Sequence, residues 1–211
     1  MRRTIAILAA IVAATLALSV VPALAVDDAP PERPRLDRER PERTFPPDWV
    51  GQSADEVRDA ILERIEAAEE RIADNERLTD EQKEQLLEAL ADTREAIEDL
   101  DEPAEIVGTA ISRRQLERIE FRALRSGEEP DFEAHIAKDL EGFSLRLEHM
   151  TKIVGWAEAA GEDVDDVLVY LDEATDQLEV AEGTGSVEKR HDAAHIARAW
   201  MTEATVALMA L

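Results

Sequence analysis

Cysteine is absent from the 211-residue chain, and aromatic residues make up only 4% of it. Without cysteine the protein forms no disulfide bond and carries no lipid-anchored cysteine, so its stability must come from packing. With few aromatic residues, the core is expected to consist mainly of leucine, isoleucine, valine and alanine. No nucleophile elbow, phosphate-binding loop or glycine-rich dinucleotide turn occurs. These absences predict that the protein is not an enzyme and has no cofactor.

Positive charge is also scarce. The chain has 24 lysine and arginine residues against 49 aspartate and glutamate residues, a formal net charge of −25. A chain of this charge repels nucleic acids and anionic membranes at long range and attracts cations and basic partners. We therefore expect no nucleic-acid partner, while the sequence identifies no protein partner and no oligomeric state. The acidity is either an adaptation to salty surroundings, where ions screen the charge, or a functional property.

The only long apolar run lies at the start of the chain, in residues 1–25, and reads MRRTIAILAAIVAATLALSVVPALA. Two arginines precede the run, Pro22 interrupts it, and Ala23-Leu24-Ala25 is typical of a signal-peptide cleavage site. The pattern predicts cleavage after Ala25 and a secreted chain of formal net charge −27, with no stable membrane insertion. The alternative is an N-terminal membrane anchor, since the run approaches the ~20 residues that span a bilayer.

Residues 26–50 hold six of the nine prolines, together with alternating charges and few apolar residues. Such a segment has too little apolar surface to build a core, so we expect a disordered, extended linker. The predicted organisation is a signal peptide over residues 1–25, this linker, and a helical bundle over 51–211. The sequence leaves open whether the bundle has one core or consists of two sub-bundles, 51–126 and 127–211.

From Ser53 onward, apolar residues recur every three or four positions in six successive stretches, without strand-like alternation. Ser53 with Glu56 and Thr79 with Gln82 predict capping boxes, and Pro103 predicts a helix start. Short connections favour antiparallel neighbours. The predicted fold is therefore an all-α, antiparallel bundle of about six helices with coiled-coil-like packing. The fourth helix is the longest and is expected to be central.

The stretch VEKRHDAAHIARAW, residues 187–200, contains two histidines, His191 and His195, at metal-ligand spacing. It differs from the H-E-x-x-H signature of zinc proteases because Asp192 takes the place of glutamate and no third ligand follows. Glu188, His191 and His195 could contact one ion from one helical face, but no fourth ligand is evident. The periodicity places both histidines beside the core, where they pair with Glu188 and Asp192. The sequence thus predicts no specific metal site, with a site at Glu188, His191 and His195 as the alternative.

Positive charge is concentrated on one face of the third predicted helix, formed by Arg114, Arg118, Arg122 and Arg125. Residues at this spacing share a helix face, and a row of guanidinium groups can hold a phosphate or another anion. In so acidic a chain, the role we expect for these arginines is pairing with carboxylates of neighbouring helices.

A short resemblance concerns residues 77–90, RLTDEQKEQLLEAL. Its segment Leu78-Thr79-Asp80-Glu81-Gln82 resembles the L-T-x-x-Q motif of the Spy/CpxP family of secreted helical stress proteins and chaperones. Residues 111–115, ISRRQ, are a looser second match. The resemblance implies a small all-helical protein that cradles unfolding clients. The residues themselves favour a secreted, non-enzymatic structural or protein-interaction module. An extracytoplasmic chaperone or stress sensor and a metal-binding helical protein are the alternatives.

Overall fold

The structure, a computed structural model, describes residues 47–211 except Arg77 and the side chains at 124–126. The predicted signal peptide and nearly all of the predicted linker therefore lie outside the described residues. Six helices follow one another: α1 (Ala54–Ala73), α2 (Asp80–Glu98), α3 (Pro103–Ser126), α4 (Phe132–Ala159), α5 (Asp165–Glu182) and α6 (Val187–Ala210). Between residues 47 and 211 the described backbone contains no strand. The predicted all-α fold of six helices is confirmed.

Local signals in the sequence determine where the first three helices begin. Ser53 and Glu56 exchange side-chain and backbone hydrogen bonds at the start of α1, and Thr79 and Gln82 do the same at the start of α2. Each capping box satisfies backbone N–H groups that have no partner within the helix. Pro103 occupies the first turn of α3, where its missing N–H costs no hydrogen bond.

Helices α1, α2 and α3 pack as an up-down-up group. Arg58, near the start of α1, donates a hydrogen bond to the carbonyl oxygen of Ile97 near the end of α2. Arg94 of α2 pairs with Glu69, further along α1, so these two helices are antiparallel. The interior of the group is a buried cluster of branched side chains, on which Trp49 packs: Val57, Ile97, Ile106 and Val107.

Helix α6 is the central helix of the described chain. It packs against α3, α4 and α5 and buries twelve of its residues, whereas α4 buries five. The prediction that the fourth helix is central is therefore wrong. The physical reason is side-chain size, since five of the twelve buried residues of α6 are alanines and neighbouring helices can approach it on several sides.

Two contacts show how α6 is held. Arg190 pairs with Glu133 at the start of α4, and Thr205 accepts a hydrogen bond from Arg146 further along α4, so α4 and α6 run in the same direction. On the α3 side, a Cβ atom placed on Gly108 would lie 2.5 Å from the Cα of Ile196. Only glycine permits this close approach of α3 to α6.

Residues Asp48–Leu211 form one compact unit. None of the helices in the described part of the chain combines the length and the apolar character that a membrane span requires.

Candidate metal centre

Three potential metal ligands converge between α4 and α6. Asp139 projects from α4, and His191 and His195 project from successive turns of α6. The Oδ2 atom of Asp139 lies 3.4 Å from Nε2 of His195 and 3.9 Å from Nε2 of His191. The two imidazole rings are neighbours, with their centroids 4.7 Å apart. Two nitrogen atoms and one oxygen atom therefore surround a common point.

These separations are close to those that a bound ion imposes. Zinc bonds to histidine nitrogen and carboxylate oxygen at ~2.0–2.2 Å, and in a tetrahedral site this places ligand atoms ~3.3–3.5 Å apart. The measured 3.4 Å falls within that range and the 3.9 Å lies slightly outside it. All three donor atoms lie within 4.8 Å of one another.

Both histidines are buried, with 0% of His191 and 1% of His195 exposed. The prediction that they lie beside the core is therefore wrong. The spacing of apolar residues predicted a narrow buried stripe on α6. Because α3, α4 and α5 all pack against this helix, its buried surface is wider than that stripe. The expected local pairing with Glu188 and Asp192 is not formed either. Neither Nε2 of His191 nor either ring nitrogen of His195 has a hydrogen-bond partner among the described residues.

A hydrogen-bond chain from α3 orients His191. The hydroxyl of Ser112 donates to Oδ1 of Asp192 at 2.5 Å, and its oxygen lies 2.7 Å from Nδ1 of His191. Arg113 donates to the other carboxylate oxygen of Asp192 at 2.6 Å. Because the Ser112 proton is used toward Asp192, its oxygen accepts from Nδ1–H of His191. The lone pair of His191 is thereby placed on Nε2, toward Asp139, as in metal sites whose ligands are fixed by outer hydrogen bonds.

The electrostatics keep His191 neutral and Asp139 ionised near neutral pH. Burial lowers the pKa of His191 to about 4, the charge of nearby His195 adds to the shift, and Asp139 opposes it. Burial by itself would raise the pKa of Asp139, but His195, His191 and Arg198 outweigh it, so this pKa is lowered. A neutral imidazole beside an ionised carboxylate is the protonation state that a metal ion requires.

The cluster differs from the set of residues that the sequence suggested. Glu188 is exposed near the start of α6, and its own backbone N–H and the hydroxyl of Ser186 lower its pKa. It is not part of the group that could hold an ion. Asp139 takes its place, from a helix more than fifty residues earlier in the chain. The available signal was a second pair at four-residue spacing, His135 and Asp139, which sequence reasoning missed.

The arginine face of α3 remains exposed at Arg114, Arg118 and Arg122. None of these three forms an ion pair with a carboxylate within the described chain, so the expected pairing with neighbouring helices is not seen for them. Arg114 and Arg118 act electrostatically on Glu117 of the same helix, where they oppose the rise in its pKa that burial causes.

No protein-family model matches the chain, and neither a curated protein nor a solved structure is detectably similar to it.

Proposed function

We propose that the mature chain is a secreted, non-enzymatic helical protein that binds one divalent transition-metal ion of the zinc class between α4 and α6. The observation that carries the proposal is the convergence of Asp139, His191 and His195, with buried imidazole nitrogens that have no hydrogen-bond partner among the described residues. The sequence predicted no specific site because it offered no ligand from outside one helix. Asp139 supplies that ligand. Secretion stays a prediction that rests on residues 1–25.

The ligand types select the class of ion. Imidazole nitrogen suits zinc, copper, nickel and cobalt, whereas calcium and magnesium prefer sites built from oxygen alone. Burying imidazole nitrogen atoms without hydrogen bonds, as at Nε2 of His191 and both ring nitrogens of His195, costs free energy, on the order of 1–3 kcal/mol for each unsatisfied polar group. An ion bound by both Nε2 atoms would offset that cost.

Three protein ligands would leave one position of a four-coordinate ion for a further ligand. Asp139 is the one partly exposed member of the cluster, so water could reach an ion from its side. His135 is the protein side chain that we expect at this position. It lies one turn before Asp139 on α4, it is exposed, and its Nδ1 lies 2.9 Å from the backbone oxygen of Asp131. With Nδ1 held in this way, Nε2 is the nitrogen that remains for the ion.

The same residues argue against hydrolysis by a serine nucleophile. In space, His191 lies between Ser112 and Asp139, as the histidine of a catalytic triad lies between its serine and its aspartate. Ser112, however, is wholly buried. Its hydroxyl proton is directed at Asp192, not at His191. A substrate cannot reach this oxygen, and the histidine is not placed to remove its proton. We therefore retain a binding function and not a catalytic one.

Isothermal titration of the full mature chain with Zn²⁺ at ~0.15 M salt tests the proposal, because loose attraction to the acidic surface is largely screened there. We expect a one-to-one isotherm with a sub-micromolar dissociation constant. Asp139→Asn and His195→Ala should each abolish this binding. Cobalt should replace zinc and give the visible absorption of a four-coordinate nitrogen and oxygen site. His135→Ala should weaken binding by about tenfold if a protein ligand, and not water, completes the site.

Two matched variants serve as controls. Glu188→Gln removes the acid that the sequence suggested, and His149→Ala removes a histidine elsewhere on α4. Both should bind zinc as tightly as the wild type. Weak binding of several ions that survives Asp139→Asn and His195→Ala would contradict the proposal and would support the original expectation of no specific site.

A further inference from the structure

A groove between α2 and α3 lies outside the metal centre and encloses about 410 Å³. Its floor includes Leu86 of α2 and Phe121 of α3, both half-buried. Its rim carries Glu88, Asp92, Glu117 and Glu120. Every charged residue that the described part of the chain contributes to this lining is acidic. We call this feature the acidic groove.

Glu117 lies in the groove without an ion-pair partner among the described residues. Its side chain is half-buried, and burial raises its pKa, although Arg114 and Arg118 act in the opposite direction. It forms no hydrogen bond or ion pair with any described residue. A carboxylate that has lost part of its hydration without gaining a partner favours an incoming cation.

We propose that the acidic groove binds a cationic, amphipathic peptide segment of another protein. Apolar side chains of such a segment would cover Leu86 and Phe121, and its lysine or arginine side chains would pair with the carboxylates on the rim. An apolar floor surrounded by a negatively charged rim fits such a peptide better than it fits a polyamine. A polyamine has positive charges for the rim but no large apolar side chain to cover the floor. The formal net charge of −25 would also speed the encounter with a basic partner.

The volume sets the scale of the interaction. A groove of about 410 Å³ is at the small end of ligand pockets and accepts a few side chains, not a whole domain. The partner should therefore dock through a short helical or extended segment with one or two apolar anchors, in the manner of helix-in-groove recognition.

Fluorescence anisotropy on the full mature chain at ~0.15 M salt tests the proposal. The probe is a labelled 18-residue peptide in which leucine and lysine recur at helical spacing. The reference peptide has the same composition in a scrambled order without an apolar face. We expect the amphipathic peptide to bind and the scrambled one to bind at least about tenfold more weakly, since only the first can fill the floor.

Charge reversal locates the site. Glu88→Arg with Glu120→Arg reverses two exposed rim charges and should weaken the amphipathic peptide by at least about tenfold. The matched pair Glu158→Arg with Glu179→Arg changes the net charge by the same amount, at exposed positions of α4 and α5. This pair should weaken the binding of the amphipathic peptide by less than about threefold. Circular dichroism verifies that both variants remain helical.

Several outcomes would overturn the proposal. Equal weakening by both variant pairs would show attraction to the whole acidic surface. If the scrambled peptide binds as tightly as the amphipathic one, charge alone determines the affinity and the apolar floor has no role. Binding of an uncharged, unfolded client that the rim reversal leaves unchanged would indicate a chaperone groove without charge selection. Absence of binding by the amphipathic peptide would exclude this occupant altogether.

Discussion

Replacing Gly108 by alanine is the sharpest test of how α3 meets the central helix. The added Cβ would lie 2.5 Å from Cα, 2.6 Å from the backbone nitrogen and 2.8 Å from Cγ1 of Ile196. Ordinary contacts of a Cβ atom begin near ~3.4 Å, so α3 must retreat by roughly 1 Å, because backbone atoms cannot rotate away. Forcing extra volume into a packed interface costs ~1–3 kcal/mol or more. Alanine recovers ~1 kcal/mol through its higher helix propensity.

The expected net result is a loss of ~1–2 kcal/mol in the free energy of unfolding, measured by urea titration. Gly142→Ala is the matched control, since Gly142 lies within α4 and has no atom within 4 Å of the position that a Cβ would take. That variant should gain ~0.5–1 kcal/mol. The two variants should therefore differ by ~2 kcal/mol, or ~4–8 °C in melting temperature for a chain of this size.

The same perturbation should reach the metal centre. Ser112 lies one turn after Gly108 on α3 and holds Nδ1 of His191 at 2.7 Å. A retreat of α3 by ~1 Å would stretch or break this hydrogen bond, and zinc affinity should fall ~10–100-fold, as for other losses of an outer-shell partner. A Gly108→Ala protein as stable as Gly142→Ala would refute the reasoning. It would mean that α3 and α6 adapt to the added methyl group without strain.

Two further predictions follow. In the presence of a chelator, acidification from pH 7 to pH 4 should destabilise the wild type by ~3 kcal/mol more than His191→Asn. The pKa of His191 falls from an ordinary value near 6.5 to about 4 on folding. Its contribution to the free energy of unfolding is therefore present above pH ~6.5 and is lost as the pH drops toward 4. Parallel profiles of unfolding free energy against pH for the two proteins, measured with urea, would contradict this. The secreted protein should begin at Val26, because Ala23-Leu24-Ala25 follows the apolar run, and N-terminal sequencing that finds Arg2 or Arg3 on membrane-bound material would show an uncleaved anchor.

Much of the secondary structure could be predicted from local patterns. Ser53, Thr79 and Pro103 mark helix starts because their effects act within one turn of the same helix. Apolar residues that recur every three or four positions predict a helix for the same reason, and in α6 the residues in this pattern are buried: Ala194, Ala197, Met201, Ala204 and Leu208. Which helix is central was not predictable from length, because centrality depends on how many neighbours a helix can accept, and alanine-rich α6 accepts three.

Only part of the candidate metal centre could be predicted from the sequence. The spacing of His191 and His195 indicated that two imidazoles share a helix face. Asp139 is one of 49 acidic residues, and nothing in its neighbourhood singles it out except His135 four positions earlier. No local pattern singled out Ser112 either, because its hydrogen bond to His191 depends on the close approach of α3 to α6 that Gly108 allows.

The sequence by itself therefore determined the helical class, the starts of α1 to α3 and the pairing of His191 with His195, because these depend on residues within a few turns of each other. Tertiary structure decided that both histidines are buried, that Asp139 faces them, and that Glu88 and Glu120 share a groove. The residues that meet in the groove and in the cluster are between 32 and 56 positions apart along the chain. Their proximity is set by how helices of unequal bulk pack together, a property of the whole bundle that no single helix encodes.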